Sequence, residues 1–175
     1  KINPRVDDIP DRFASEKNGV KLLVMGTVET GGAGCVCPEH VMLRRVISDL
    51  VINRDEVVIM DMEAGLEHLG RGTASCMDQF VVVVEPGERS LQTWQKVKEL
   101  AADLGVRDVK VVANKVRDEA DEEFIKARVP EKELLGFIHY DKDVIEADRQ
   151  GASPYAVSAR AVAEIRTIRS RMENE

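Results

Sequence analysis

The sequence predicts an α/β protein with a doubly wound, mostly parallel sheet and helices on both faces. Two observations carry that expectation. Five short apolar runs read "VKLLVMG" (20–26), "VVIMDM" (57–62), "FVVVVEP" (80–86), "VKVVANK" (109–115) and "LLGFIHY" (134–140). They are nearly continuous and β-branched rather than alternating, which is how strands covered on both faces of a parallel sheet read. Between and after them lie stretches with helical periodicity, and strands alternating with helices build the doubly wound architecture.

Taken in order, the helical stretches have their own signals. Residues 38–51 place Val41, Met42, Val46, Ile47 and Leu50 on one face, with Pro38 suited to the first helical position. Residues 90–104 repeat Leu91, Trp94, Val97, Leu100, Ala101 and Leu104, and Gly105 provides a stop. The segment 154–172 places Val162, Ile165, Ile168 and Met172 on one stripe. No internal repeat or linker-like stretch interrupts the pattern, so a single α/β domain over 1–175 is expected.

Composition narrows the function classes. The 175 residues are 43% apolar and 33% charged, enough for one globular core. A net charge of -7 leaves no electrostatic footprint for nucleic acid. No apolar run approaches the length of a membrane span. Three cysteines do not make a secreted disulfide scaffold, so a cytoplasmic location is expected.

In open α/β sheets, ligands bind beyond the carboxyl ends of the strands. After "VVIM" comes Asp61-Met62-Glu63-Ala64-Gly65. An acid at a strand tip can hold a magnesium-bound water, and a glycine four residues on lets backbone N–H approach a phosphate. An ordinary strand-to-helix turn capped by Asp61 satisfies the same pattern. After "VKVVA" comes Asn114-Lys115. An Asn amide can pair with adenine, and an Asn that forms a turn fits equally well.

The stretch "GGAGCVCPEH" (31–40) is more specific. Cys35 and Cys37 precede a helix whose N-terminus favours thiolate. A C-x-C loop is too tight for a relaxed internal disulfide. Two buried small hydrophobes are the bland alternative. Two thiolates do not close a four-coordinate metal site. His40 and Cys76 are the local supplements, and a two-fold dimer supplies the other half with no further residues. Thiolates alone favour Zn(II) or Cu(I).

The ordered set "GGAGCVCPE", "VVIMDMEAGLEHLGRGT", "VVVVEPGERSLQT", "VVANKV" and "LLGFIHYD" resembles the CooC-type carbon monoxide dehydrogenase accessory ATPases, relatives of MinD and of nitrogenase iron protein in the SIMIBI class of P-loop NTPases. The resemblance covers essentially the whole chain. It implies an ATP-dependent, cytoplasmic, homodimeric metallochaperone that uses ATP/ADP and Mg2+ and delivers nickel (Ni2+, or Zn2+ in its place) to carbon monoxide dehydrogenase. It implies that Cys35 and Cys37 are metal ligands at the dimer interface. Asp61 becomes the magnesium-site acid of a switch that includes Gly65, and Asn114, followed by Lys115, the adenine reader. Ile138, His139, Tyr140 and Asp141 would line the base pocket through their backbone. His139 stands where many relatives carry Pro. His68 would lie in the same switch, although an exposed helical histidine reads as well.

The family's Gly-rich phosphate loop and its switch aspartate have no counterpart here, since no G-x-x-x-x-G-K-[ST] pattern occurs. The chain therefore reads as the C-terminal portion of a longer protein that lacks at least two βα units, roughly 60–90 residues. By itself it is not expected to hydrolyse ATP. A non-catalytic metal-binding scaffold is the alternative. A MinD-like membrane-positioning ATPase is another, pointed to by the basic tail with Arg160, Arg166, Arg169 and Arg171. The apolar face of that tail lacks Leu, Phe and Trp, which favours packing on the sheet.

Overall fold

The computed structural model describes residues 12–24, 46–47, 57–62 and 77–173. The chain divides into two compact units, Lys1–Cys76 and Met77–Glu175.

In the first unit, β1 (Ser15–Lys17) and β2 (Val20–Leu22) form an antiparallel hairpin in which Lys17 pairs with Val20. Its two-residue turn is Asn18-Gly19, with φ of 53° and 78°. Positive φ at both central residues matches the right-handed twist of a tight hairpin, and Asn-Gly is the pair that adopts it at least cost. This corrects the expectation for 20–26. The described part of that run is a short hairpin strand with Val20 and Leu22 exposed, not a strand of a parallel sheet. The apolar run drew the expectation, and the turn chemistry before it decided the outcome. Residues 57–62 likewise carry no strand ladder, and Val57 and Ile59 are almost fully exposed. A strand exists only through bonds to a neighbour, and among the described residues these have no strand partner. Val46 and Ile47 are helical and buried, as expected of 38–51, whose other residues lie outside the described set.

The second unit contains the sheet. Its order is β3 (Gln79–Val84), α1 (Glu88–Asp103), β4 (Asp108–Val116), α2 (Glu119–Lys126), a 3-10 turn at Glu131–Glu133, β5 (Leu134–His139), α3 (Lys142–Arg149), α4 (Pro154–Val157) and α5 (Ala159–Glu173). The strands are parallel and adjacent in the order β3-β4-β5. β4 is central and buried from Val109 through Ala113, as its unbroken apolar run requires. α1 buries Leu91, Trp94 and Ala101 and ends in a Schellman motif. There Gly105 (φ 84°) donates to the Ala102 carbonyl and Val106 to that of Ala101. A left-handed residue is required at that point, which is why glycine stands there.

Helices cover both faces. Lys126 of α2 lies over the Phe137 ring. The next residue back, Gly136, faces Ile168 of α5, which joins a buried cluster with Val112 and Leu135. Neighbouring strand residues point to opposite faces, so α2 and α5 lie on opposite sides of β5.

The segment 154–172 is two helices rather than one, because Ser158 is extended and starts a new helix. Its Oγ accepts from the Ala161 N–H, the bond of an N-cap. The expected stripe also shifts. Ala161 and Ile168 are buried, while Ile165 is half exposed. The packed face includes Glu164, which turns inward to bond His139 and displaces the apolar seam.

Candidate functional site at the carboxyl ends of the strands

Parallel pairing brings the ends of β3, β4 and β5 together, and with them six of the residues singled out in the sequence. Asn114 pairs with Ile138, and Val116 with His139, so Lys115 is an extra residue on β4. That bulge places Lys115 in the left-handed region at φ 56°. A non-glycine residue at positive φ carries a local cost and is commonest where a strand end must re-aim a side chain. Here the bulge turns Lys115 outward, and its Nζ reaches Glu85 Oε1 at 2.6 Å, tying the tip of β3 to that of β4. The Tyr140 N–H donates to the Val116 carbonyl at 2.8 Å, which extends the pairing past the end of β5.

Asn114 is half-buried, and its Oδ1 accepts from the Lys115 N–H at 2.9 Å. One lone pair on Oδ1 is left over, and among the described residues Nδ2 has no protein partner. A free acceptor beside a free donor complements the N6–H and N7 edge of adenine. Ile138 packs inward against the cluster of Val112, Leu135 and Ile168, and its backbone lies in the ladder opposite Asn114.

Asp141 has a structural use for its side chain. Oδ1 accepts from the Asp143 N–H as the N-cap of α3, and Oδ2 accepts from Ser158 Oγ, itself the N-cap of α5. The Ser158 hydroxyl and the Asp143 N–H hold the Asp141 carboxyl below the usual carboxylate range. The starts of two helices are thereby pinned to the end of β5.

The His139 ring points away from this edge and lies between two carboxylates. Nδ1 is 2.8 Å from Glu164 Oε1, and Nε2 is 3.2 Å from Glu122 Oε1. The main-chain N–H of His139 also donates to Glu164 Oε2 at 3.0 Å.

The other sequence candidates belong to the first unit, Lys1–Cys76. Asp61 is exposed, in the segment 57–62 of the first unit. Cys35, Cys37, Gly65, His40, His68 and Cys76 lie outside the described residues. Among the described residues no group of three His, Cys, Asp or Glu side chains could hold a metal ion, and no helix is long and apolar enough to cross a membrane.

Sequence reasoning missed Glu85, Glu122, Ser158 and Glu164. Ser158 had a readable signal, three residues ahead of Ala161 at the start of a helical run. Asp118 had the same kind of signal. Its side chain accepts from the Asp121 N–H and starts α2. The glutamates had none, since their partners come from elements 17 to 30 residues away.

No protein-family model matches the chain. It is 47% identical over 171 residues to an uncharacterized ATP-binding protein of Methanocaldococcus jannaschii, covering 96% of this chain and 66% of that protein. It is 47% identical over 157 residues to the carbon monoxide dehydrogenase accessory protein CooC of Rhodospirillum rubrum, covering 90% and 60%. A second uncharacterized ATP-binding protein of Methanocaldococcus jannaschii is 32% identical over 146 residues, covering 83% and 58%. The chain thus spans about three fifths to two thirds of the length of these relatives. With such identity spread over nearly all of its length, the chain belongs to the family of CooC-type ATP-binding proteins.

Proposed function

We propose that this chain is the adenine-reading and metal-carrying part of an ATP-dependent maturation factor that delivers nickel to carbon monoxide dehydrogenase in the cytoplasm. The observation that carries the reading is the 47% identity to the carbon monoxide dehydrogenase accessory protein CooC. The arrangement of the β4 and β5 ends supports it. Asn114 offers a free amide donor beside an acceptor, and the backbone from Ile138 to Asp141 lies next to it in register. These groups fit an adenine base.

In this reading ATP supplies phosphoryl-transfer energy when bound, with Mg2+ neutralising its phosphates. The chain contributes the following groups. Asn114 orients the base, and the backbone of Ile138, His139, Tyr140 and Asp141 forms the wall beside it. Lys115, held by Glu85, keeps the β3 and β4 tips together. Asp61 would help to hold Mg2+, and Gly65 would offer a backbone N–H to phosphate. The cargo is nickel, or zinc in its place, bound by Cys35 and Cys37 from each of two subunits, because two thiolates alone leave a four-coordinate site half filled.

The test is metal stoichiometry and turnover in the full-length protein. One Ni(II) or Zn(II) per two chains is expected, together with ATP hydrolysis that falls when Asp61 becomes Asn. A non-catalytic scaffold would bind metal without hydrolysing ATP. Maturation of nickel-free carbon monoxide dehydrogenase that proceeds equally well without the protein would contradict the delivery role.

A further inference from the structure

The unusual feature beside the proposed base site is the histidine between two acids. We propose that His139, as an imidazolium, is a clasp that positions the base-facing end of β5, so that nucleotide affinity follows the protonation of this one ring. The proposal rests on the nucleotide reading above.

A neutral imidazole has one N–H and one lone pair. Both ring nitrogens of His139 face carboxylate oxygens, Nδ1 at 2.8 Å from Glu164 and Nε2 at 3.2 Å from Glu122. Carboxylates only accept. Two bonds therefore need two protons, and only the imidazolium has them. In the neutral ring one nitrogen would present a lone pair to a carboxylate.

Among the described residues, two cations join the cluster. On α2, Glu122 also accepts from Lys126 at 2.7 Å. On α5, Glu164 also accepts from Arg160 at 3.0 Å. Both carboxyls are held below the usual carboxylate range. For Glu122 the largest cause is the Lys126 bond, with His139 adding to it. For Glu164 burial works in the opposite direction, and the backbone and ring of His139 together with Arg160 outweigh it. The side chains of His139 and Glu164 are each 19% exposed, and that of Glu122 is 25% exposed. Water therefore screens these contacts only in part.

The clasp spans three elements. Glu122 belongs to α2, His139 closes β5, and Glu164 belongs to α5. α2 and α5 cover opposite faces of β5, so the ring links both layers at the strand end that leads directly into Tyr140 and Asp141. The two contacts are unequal. Glu164 also holds the His139 main chain at 3.0 Å, whereas the Glu122 contact is the longer one and stands alone. Loss of one proton releases the Glu122 side chain while Glu164 stays engaged. With one proton on the ring, the base-facing segment keeps its Glu164 contacts without the Glu122 one, and ADP binds less tightly.

Glu122→Gln provides the conservative test. Its amide N–H can donate to the lone pair of a neutral Nε2, so the clasp closes without the second proton. The experiment measures Mg-ADP affinity of the full-length protein by calorimetry from pH 6 to 8.5, and the protonation of each ring nitrogen by 15N NMR over the same range, with His139→Gln assigning the resonance. The expected result is an affinity loss of about fivefold that tracks the His139 resonance in the parent protein and is absent in Glu122→Gln. An Nε2 unprotonated at every pH overturns the clasp. A ring that titrates while ADP affinity stays flat, or an equal pH dependence in Glu122→Gln, overturns the positioning role. Absence of ADP binding at every pH refutes the nucleotide reading instead, and the ring-nitrogen titration then still decides the clasp.

Discussion

Gly136 of β5 faces Ile168 of α5, and a single methyl group there should push the two elements apart. A Cβ at this position would sit 3.0 Å from Ile168 Cγ1 and 3.7 Å from its Cδ1. Carbon atoms in favourable contact lie about 3.5–4.0 Å apart, so the methyl group is roughly 0.5–1 Å too close. Ile168 is buried against Val112 and Leu135 and cannot simply swing away. The remaining escape is movement of α5. That helix is tied to β5 at three further points: Ser158 to Asp141, Glu164 to His139, and Arg171 Nη1 to the Leu135 carbonyl at 2.9 Å. Gly136→Ala should therefore cost about 1–3 kcal/mol, the range for overpacking a well-filled core. The assay is urea unfolding, read from the midpoint at unchanged slope. Ile168→Ala removes Cγ1 and costs about 2–5 kcal/mol by itself through the cavity it leaves. In that background Gly136→Ala should cost less, keeping only the part imposed by its backbone at φ 158°, so the two changes should couple by about 1–3 kcal/mol. If Gly136→Ala is neutral in the parent protein, or equally costly in both backgrounds, α5 does not pack on β5 at this point.

Further outcomes follow from other parts of the molecule. Ile125 of α2 is fully buried, and Ile125→Ala should destabilise the protein by about 2–5 kcal/mol in the same urea assay. The Asp121 carboxyl is pulled down to about 2 by the Arg117 side chain first and the Arg117 main-chain N–H second. Because its folded value lies below the ordinary one, its contribution is complete above about pH 4 and is lost as pH falls toward 2. Acid unfolding followed by circular dichroism should show this loss in the parent protein and a smaller one in Asp121→Asn. Cys35→Ser and Cys37→Ser should each abolish tight Ni(II) or Zn(II) binding in equilibrium dialysis, because each removes two of four ligands across a dimer axis. One metal per monomer retained in either variant would rule out a shared site.

The legible and illegible parts of the molecule divide along physical lines. β4 was readable because a doubly covered strand writes a nearly continuous apolar run, β3 and β5 were readable from similar runs although Val81 and Val83 of β3 are exposed, and Gly105 marked the end of α1. The same kind of run at 20–26 misled, because Asn18-Gly19 folds its start into a hairpin with exposed valine and leucine. The short helices α2 and α3 left almost no periodicity, since each buries one or two residues. They were marked instead by their caps, Asp118 and Asp141. At the site, Asn114, Lys115 and the segment from Ile138 to Asp141 were legible as residues at strand ends. Their use was less so. The bulge at Lys115, the Glu85 partner and the clasp around His139 come from strand register and long-range packing, which no local pattern encodes. The resemblance pointed to a backbone role for His139 and was silent on its ring.

The central claim is that adenine is read at the ends of β4 and β5, and calorimetric titration of Mg-ADP into the full-length protein and its Asn114→Ala variant tests it most directly. A well-formed two-bond contact from an Asn amide to adenine is worth about 1–3 kcal/mol, so the variant should bind ADP about tenfold or more weakly at unchanged stability. Equal ADP affinity in the two proteins would contradict the account and place the base elsewhere.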